Sequence, residues 1–158
     1  MQVSHGKTTT SALLTHLLRS CGEDPTAFLG GIMLGANTNF FQGASDICVV
    51  EADEYDRSFL RLQPHSGIIT SMEPDHLDIY GNEEAYVEAF QDFRKLVKGK
   101  CLVHHSTPLE GITYGGANSD HRIENLQISS GAYHCRWTNS TIDQQVTMNY
   151  PGRHNLED

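Results

Sequence analysis

Ser4-His5-Gly6-Lys7-Thr8-Thr9-Thr10 is the stretch on which the reading of this chain turns. Directly behind it Leu13, Leu14, Leu17 and Leu18 recur at helical spacing and Gly22 offers a stop, so the pattern predicts a helix from Lys7 to Arg19. A Gly-Lys-Thr core that opens a helix suits an anion. Backbone N–H groups and the positive helix end cradle phosphate, the lysine neutralises the β/γ oxygens, and the hydroxyl after it holds Mg²⁺. Such a tripeptide before a helix is common by chance, so the residues downstream decide its weight.

Working outward, Pro25 opens a short apolar stretch, Thr26 to Leu29, that Gly30-Gly31 closes, which predicts a strand. A Gly- and Asn-rich loop, Gly35 to Asn39, leads to Ile47-Cys48-Val49-Val50. That continuous apolar run is of the kind buried on both faces of a parallel sheet. Gly67-Ile68-Ile69-Thr70 and Cys101-Leu102-Val103 are two more. Between them Asn82 can cap a helix from Glu83 to Lys98, with Tyr86, Val87, Phe90, Phe93, Leu96 and Val97 on one face and Gly99 at its end.

Helices alternating with buried strands predict an α/β fold: a P-loop-type, mostly parallel sheet flanked by helices. Beyond Thr107 the texture changes to short segments, Arg122 to Ile128, Ala132 to Trp137 and Ile142 to Met148, separated by Gly and Asn turns. They predict a small antiparallel β sheet in the C-terminal third. With no repeats or long linkers, residues 1–158 read as one domain.

Acidic residues follow two of the buried runs. Glu51 begins Glu51-Ala52-Asp53-Glu54-Tyr55-Asp56 at the carboxyl end of its strand, where it can anchor Mg²⁺ opposite the phosphate loop. Glu54 and Asp56 read better as solvated turn residues. Glu73-Pro74-Asp75-His76-Leu77-Asp78 follows the next run, and a histidine among carboxylates suits a divalent cation or an oriented proton donor. Three clusters at the same sheet edge raise the phosphate reading well above that of any single motif.

The net charge of −9 excludes nucleic acid as a partner, because phosphate backbones call for clustered Lys and Arg. No apolar run approaches the ~20 residues of a spanning helix, so a membrane role is excluded as well. Cys21, Cys48, Cys101 and Cys135 form no C-x-x-C pair and read as free thiols of a reducing cytoplasm, and no secretory signal opens the chain. His16, His65, His104, His105, His121 and His134 have no metal-ligand spacing.

Taken together, the Gly-Lys-Thr loop, Glu51-Ala52-Asp53-Glu54, Ser58-Phe59-Leu60, Pro74-Asp75-His76-Leu77-Asp78 and Gly152-Arg153-His154-Asn155 resemble the ATP-binding central domain of the Mur ligases. Order and spacing agree along nearly the whole chain. Within the family the E-A-D-E segment and the D-H-x-D-x-Y segment look like the L-alanine-adding branch. Phe90 stands where later-acting members carry a carbamoylated lysine, which favours the same branch.

The resemblance implies an ATP-dependent ligase of bacterial peptidoglycan precursor synthesis, in the cytoplasm, with UDP-N-acetylmuramate and L-alanine as partners. ATP phosphorylates the lactyl carboxylate, and the alanine amine attacks the acyl phosphate. By the same resemblance Ser4, His5, Gly6, Lys7, Thr8 and Thr9 form the phosphate loop, and Lys7 binds the phosphates. Thr8 and Glu51 hold one Mg²⁺, Glu51 and His76 a second. His154 and Asn155 contact adenine, and Asn37-Thr38-Asn39 falls where the family meets its sugar nucleotide.

The sequence departs from the family pattern at Val3, which stands where the family loop has glycine. The strand that feeds the loop, the sugar-nucleotide domain and the C-terminal domain are absent from these 158 residues, so the sheet is expected to be incomplete at both ends and turnover by this stretch alone to be little or none. A lost central strand also leaves inner edges that invite association. Two alternatives stay open. One is the recycling ligase that adds a tripeptide to the same sugar nucleotide, and the other is a non-catalytic nucleotide-binding module.

Overall fold

The computed structural model describes residues 6–33, 36–72 and 77–149. Helix α1 (Lys7–Ser20) is followed by β1 (Thr26–Met33), β2 (Thr38–Phe41) and β3 (Cys48–Val50). A 3₁₀ turn (Ser58–Arg61), β4 (Gly67–Ile69), α2 (Leu77–Tyr80), α3 (Glu83–Leu96), β5 (Cys101–His104) and β6 (Ile112–Tyr114) come next. The chain then runs through β7 (Arg122–Ser129), β8 (Ala132–Thr138) and β9 (Asp143–Met148).

The local signals work as expected at most boundaries. Gly22 leaves α1 at φ +89°, a conformation that costs other residues a Cβ clash. Asn82 caps α3 by accepting a hydrogen bond from the Ala85 N–H at 2.8 Å, and Glu83 and Glu84 sit at the positive helix end with Arg94 and Lys95 at the other. Tyr86, Ala89, Phe90 and Phe93 of α3 are buried.

One reading is corrected: Gly30-Gly31 does not close β1, which runs on to Met33. Helix α1 forms where predicted, with its leucine stripe largely outside the buried face. Ser11 and Thr15 are the residues it buries, while Leu13, Leu14 and Leu17 remain exposed, Leu17 by 52%. The hydroxyls of Ser11 and Thr15 reach back to the carbonyls of Lys7 and Ser11, both at 2.8 Å, so these polar side chains enter the packed face satisfied.

Sheet order is β2-β1-β3, β4-β5-β6 and β7-β8-β9. In the first sheet β1 pairs antiparallel with β2 and parallel with β3, whereas the second is parallel throughout. The third is an antiparallel meander, as its alternating sequence predicts. Parallel strands thus form two sheets, and the break falls between β3 and β4 among the described residues.

The apolar interior is divided in the same way. Ala27, Leu29 and Val49 form one buried cluster with Ala12 and Leu18 against it, while Phe59, Ile69, Tyr86, Phe90, Phe93 and Val103 belong to another. Between them lies a cavity of about 890 Å³. Among the described residues no helix is long and apolar enough to cross a membrane.

Candidate active site

The site lies where α1 begins and β1 and β3 end. Gly6 precedes α1 with φ 100°, a left-handed conformation, and among the described residues no side chain caps the helix, which leaves its N-terminus as a seat for an anion. Thr8 Oγ1 donates to Glu51 Oε1 at 2.7 Å, and Ser11 Oγ donates to Glu51 Oε2 at 3.2 Å.

The third donor to Glu51 is the Gly30 N–H, at 2.6 Å. Strand β3 ends at Val50, so the next N–H on that edge of β1 lies beyond the last ladder partner, and the carboxylate takes its place. Glycine is needed here for room: a Cβ at Gly30 would come within 2.5 Å of the Glu51 carboxylate, and one at Gly31 within 2.9 Å of the Thr8 methyl. The pair read as a strand terminator is instead the gap through which Glu51 and Thr8 approach the backbone.

Lys7 reaches the same loop. Its ammonium pairs with Glu54 and lies 4.0 Å from Asp53. Glu54 is therefore not a solvated turn residue: its side chain is only 6% exposed, and its carbonyl accepts the Tyr80 hydroxyl. Burial and then the neighbouring Glu54 carboxylate push the Tyr80 phenol above its usual pKa, and the Arg57 guanidinium stacks 4.7 Å from the ring centroid. Asp56 behaves as the turn residue expected. It is exposed, accepts the Ser58 N–H at 2.9 Å, and is held below its usual pKa by the hydrogen bonds of Ser58.

These groups fit a metal-bound polyphosphate. Lys7 gives one positive charge and Glu51, Asp53 and Glu54 three negative ones, so the cluster is formally 1 − 3 = −2. A triphosphate could approach only with a divalent cation between it and the carboxylates. A hydroxyl and a carboxylate already converge at Thr8 and Glu51, a hard oxygen pair suited to Mg²⁺. The described residues contain no group of three or more His, Cys, Asp or Glu placed to hold a metal by themselves.

Of the residues expected at the site, Gly6, Lys7, Thr8 and Glu51 come together. Thr9 lies on the first turn of α1. Asn37, at φ 51°, lies in the turn after β1, and Thr38 and Asn39 open β2. With Met33 paired to Thr38, that turn is roughly 10 Å along the strand from Gly30, at the same end of the sheet. Val3, Ser4, His5, His76, His154 and Asn155 lie outside the described residues. Sequence reasoning missed Glu54, Ser11 and Gly30. The signal for Gly30 was its position opposite the residue after Val50.

A family model described as the Mur ligase middle domain matches residues 4–157. A UDP-N-acetylmuramate–L-alanine ligase of Christiangramia forsetii is 43% identical, the match covering 97% of this chain and 35% of that protein. Among solved structures, a UDP-N-acetylmuramate–alanine ligase of Thermotoga maritima superposes with a TM-score of 0.87 at 29% identity, over 97% of this chain and 37% of that one. The UDP-N-acetylmuramate:L-alanyl-γ-D-glutamyl-meso-diaminopimelate ligase of Neisseria meningitides shares the fold, with a TM-score of 0.80 at 22% identity over 97% and 55% of the two chains. The chain spans about 35% of the length of the first curated relative.

Proposed function

The chain belongs to the Mur ligases through their middle domain, and from that premise we propose that it is the ATP-binding unit of a ligase joining L-alanine to UDP-N-acetylmuramate. The observation that carries the nucleotide half is the convergence of Lys7, Thr8 and Glu51 at an uncapped helix N-terminus. The choice of substrates is supported by the relative at 43% identity and by Phe90, which is buried in the apolar cluster and offers no amine to modify.

A carboxylate is a poor acyl electrophile, and transfer of the γ-phosphoryl group of ATP to the lactyl carboxylate converts it into an acyl phosphate that the alanine amine can attack. On this reading Lys7 leaves Glu54 for the phosphates, and the α1 N–H groups orient them. Thr8 and Glu51 would hold Mg²⁺, which supplies charge neutralisation where negative charge gathers. Glu51 itself is kept in place by Ser11 and Gly30. His76 as partner to a second cation, and His154 and Asn155 at adenine, complete the proposed site.

We place these residues as the central unit of a longer bacterial cytoplasmic enzyme whose other parts bind the sugar nucleotide and the amino acid, with little turnover by residues 1–158 alone. A nucleotide titration with and without Mg²⁺, using Lys7→Ala as control, tests the binding half. Magnesium-dependent ATP binding that disappears in Lys7→Ala is expected, and equal binding by both proteins would overturn it. With the intact ligase, phosphate release from ATP should depend on L-alanine. Dependence on a tripeptide instead would assign the recycling reaction.

A further inference from the structure

Arg57 lies just past Glu54 in the loop after β3, and it is exposed. Asp53, Glu54 and Asp56 stand close by in sequence, yet no carboxylate among the described residues pairs with it. Its guanidinium lies instead over the Tyr80 ring, 4.7 Å from the centroid. A ring holds the cation but offers its five N–H donors no oxygen to bond.

The backbone is committed to this placement. Arg57 has φ 59°, in the left-handed region, where the other described non-glycine residues are Asn37, Asn125 and Ser130. Asparagine tolerates that conformation and serine is at home in turns, but a long side chain gains nothing from it, and glycine would fit at lower cost. The reason for arginine therefore lies in its side chain. The Glu54 carbonyl closes the turn by accepting both the Arg57 N–H, at 3.1 Å, and the Tyr80 hydroxyl. Tyr80 is 5% exposed and packs edge-on against Tyr86, so the ring that carries the guanidinium is itself fixed. Glu54 thus anchors two cations, Lys7 through its carboxylate and Arg57 through the turn its carbonyl closes.

The ligase reaction brings two anions to this loop, the triphosphate and the carboxylate that it phosphorylates. Lys7, the α1 N-terminus and a cation on Thr8 and Glu51 meet the first. None of them is left for the second, which Asp53 and Glu54 would repel. A carboxylate and an acyl phosphate both match the guanidinium fork, which can give two parallel N–H bonds. We propose that Arg57 binds the lactyl carboxylate of the sugar nucleotide and keeps hold of it as the acyl phosphate forms. In that step a carboxylate oxygen bonds to the γ-phosphorus, the bond from that phosphorus to the β-bridging oxygen breaks, and ADP leaves with the electron pair. The proposal rests on the ligase reading above and names the residue that recognises its acyl substrate.

The experiment is Arg57→Gly in the intact ligase, since glycine accepts the left-handed backbone and removes only the cation. Phosphate release by the parent in the presence of L-alanine is measured first, and its absence would refute the ligase reading itself. Given an active parent, the variant should show a KM for UDP-N-acetylmuramate raised at least about tenfold, with the KM for ATP within about twofold of the parent. A residue that only props Tyr80 would move both values together or neither. UDP-N-acetylglucosamine, which lacks the lactyl group, should inhibit parent and variant equally. Arg57→Asn, which also accepts the left-handed conformation, should repeat the pattern. An unchanged KM for UDP-N-acetylmuramate overturns the proposal, as does an equal rise in the KM for ATP. Weaker inhibition of the variant by UDP-N-acetylglucosamine overturns it too, and would put Arg57 on the sugar or its diphosphate.

Discussion

Lys7 and Glu54 form an ion pair across 47 residues of sequence, joining the first turn of α1 to the loop after β3. The pair holds the ammonium beside the phosphate seat and gives a buried carboxylate its counter-charge. Lys7→Ala removes one partner and leaves the other buried. We expect a loss of roughly 2–3 kcal/mol in a denaturant titration, below the range for fully buried pairs because the lysine side chain is 28% exposed. The double variant with Glu54→Gln should recover part of that loss. Glu54→Gln alone should tighten Mg²⁺-nucleotide binding several-fold, since Lys7 no longer has to leave a carboxylate.

Gly30→Ala brings a methyl group against the Glu51 carboxylate. The obstacle is the end of a flexible side chain, so we expect a small change in stability but about a tenfold loss of Mg²⁺-dependent ATP affinity, with metal-free nucleotide binding unchanged. Equal losses with and without Mg²⁺ would show that Glu51 does not hold the cation.

Gly43→Ala should separate stability from function. A Cβ there would lie 2.0 Å from the Asp24 carbonyl oxygen, and backbone cannot give way as a side chain does. Thermal unfolding should show a loss of at least about 2 kcal/mol. Nucleotide affinity of the fraction that remains folded should not change.

Tyr80→Phe removes the hydroxyl that donates to the Glu54 carbonyl, at a cost of about 1 kcal/mol. The phenol of Tyr80 has its pKa raised in the folded state, so its protonated form is favoured there. Its contribution is complete below the ordinary value near pH 10 and is lost as pH rises through the raised value. A stability profile from pH 9 to 11 should therefore fall more steeply in the parent protein than in Tyr80→Phe.

Much of this was legible in the sequence because local chemistry fixes it. The β-branched runs, the Asn82 cap and the Gly22 stop depend on neighbours a few residues away, and the segments they delimit are found where expected. What was not legible depends on long-range geometry. Periodicity gave α1 a leucine face, yet Ser11 and Thr15 are the buried residues, because the face toward β1 is crowded and their hydroxyls can be satisfied within the helix. Glu54 resembled every other acidic residue of its loop until the fold set Lys7 against it. Gly30-Gly31 looked like a break because glycine usually is one, and only the end of β3 reveals why small residues stand there.

Glu54 is also a point at which the two apolar clusters of the described residues are tied together. Its carboxylate is tied to α1, which packs with the small cluster around Val49, and its carbonyl is tied to Tyr80, which belongs to the larger cluster around Phe90. Because those clusters share no residue among the described ones, the α1–β3 part and the β4–β6 part should melt as distinct cooperative units, linked through this loop. A nucleotide that draws Lys7 away from Glu54 would then loosen that linkage even as it stabilises the first unit. Occupancy of the site would be read at a distance as a widening gap between two melting transitions.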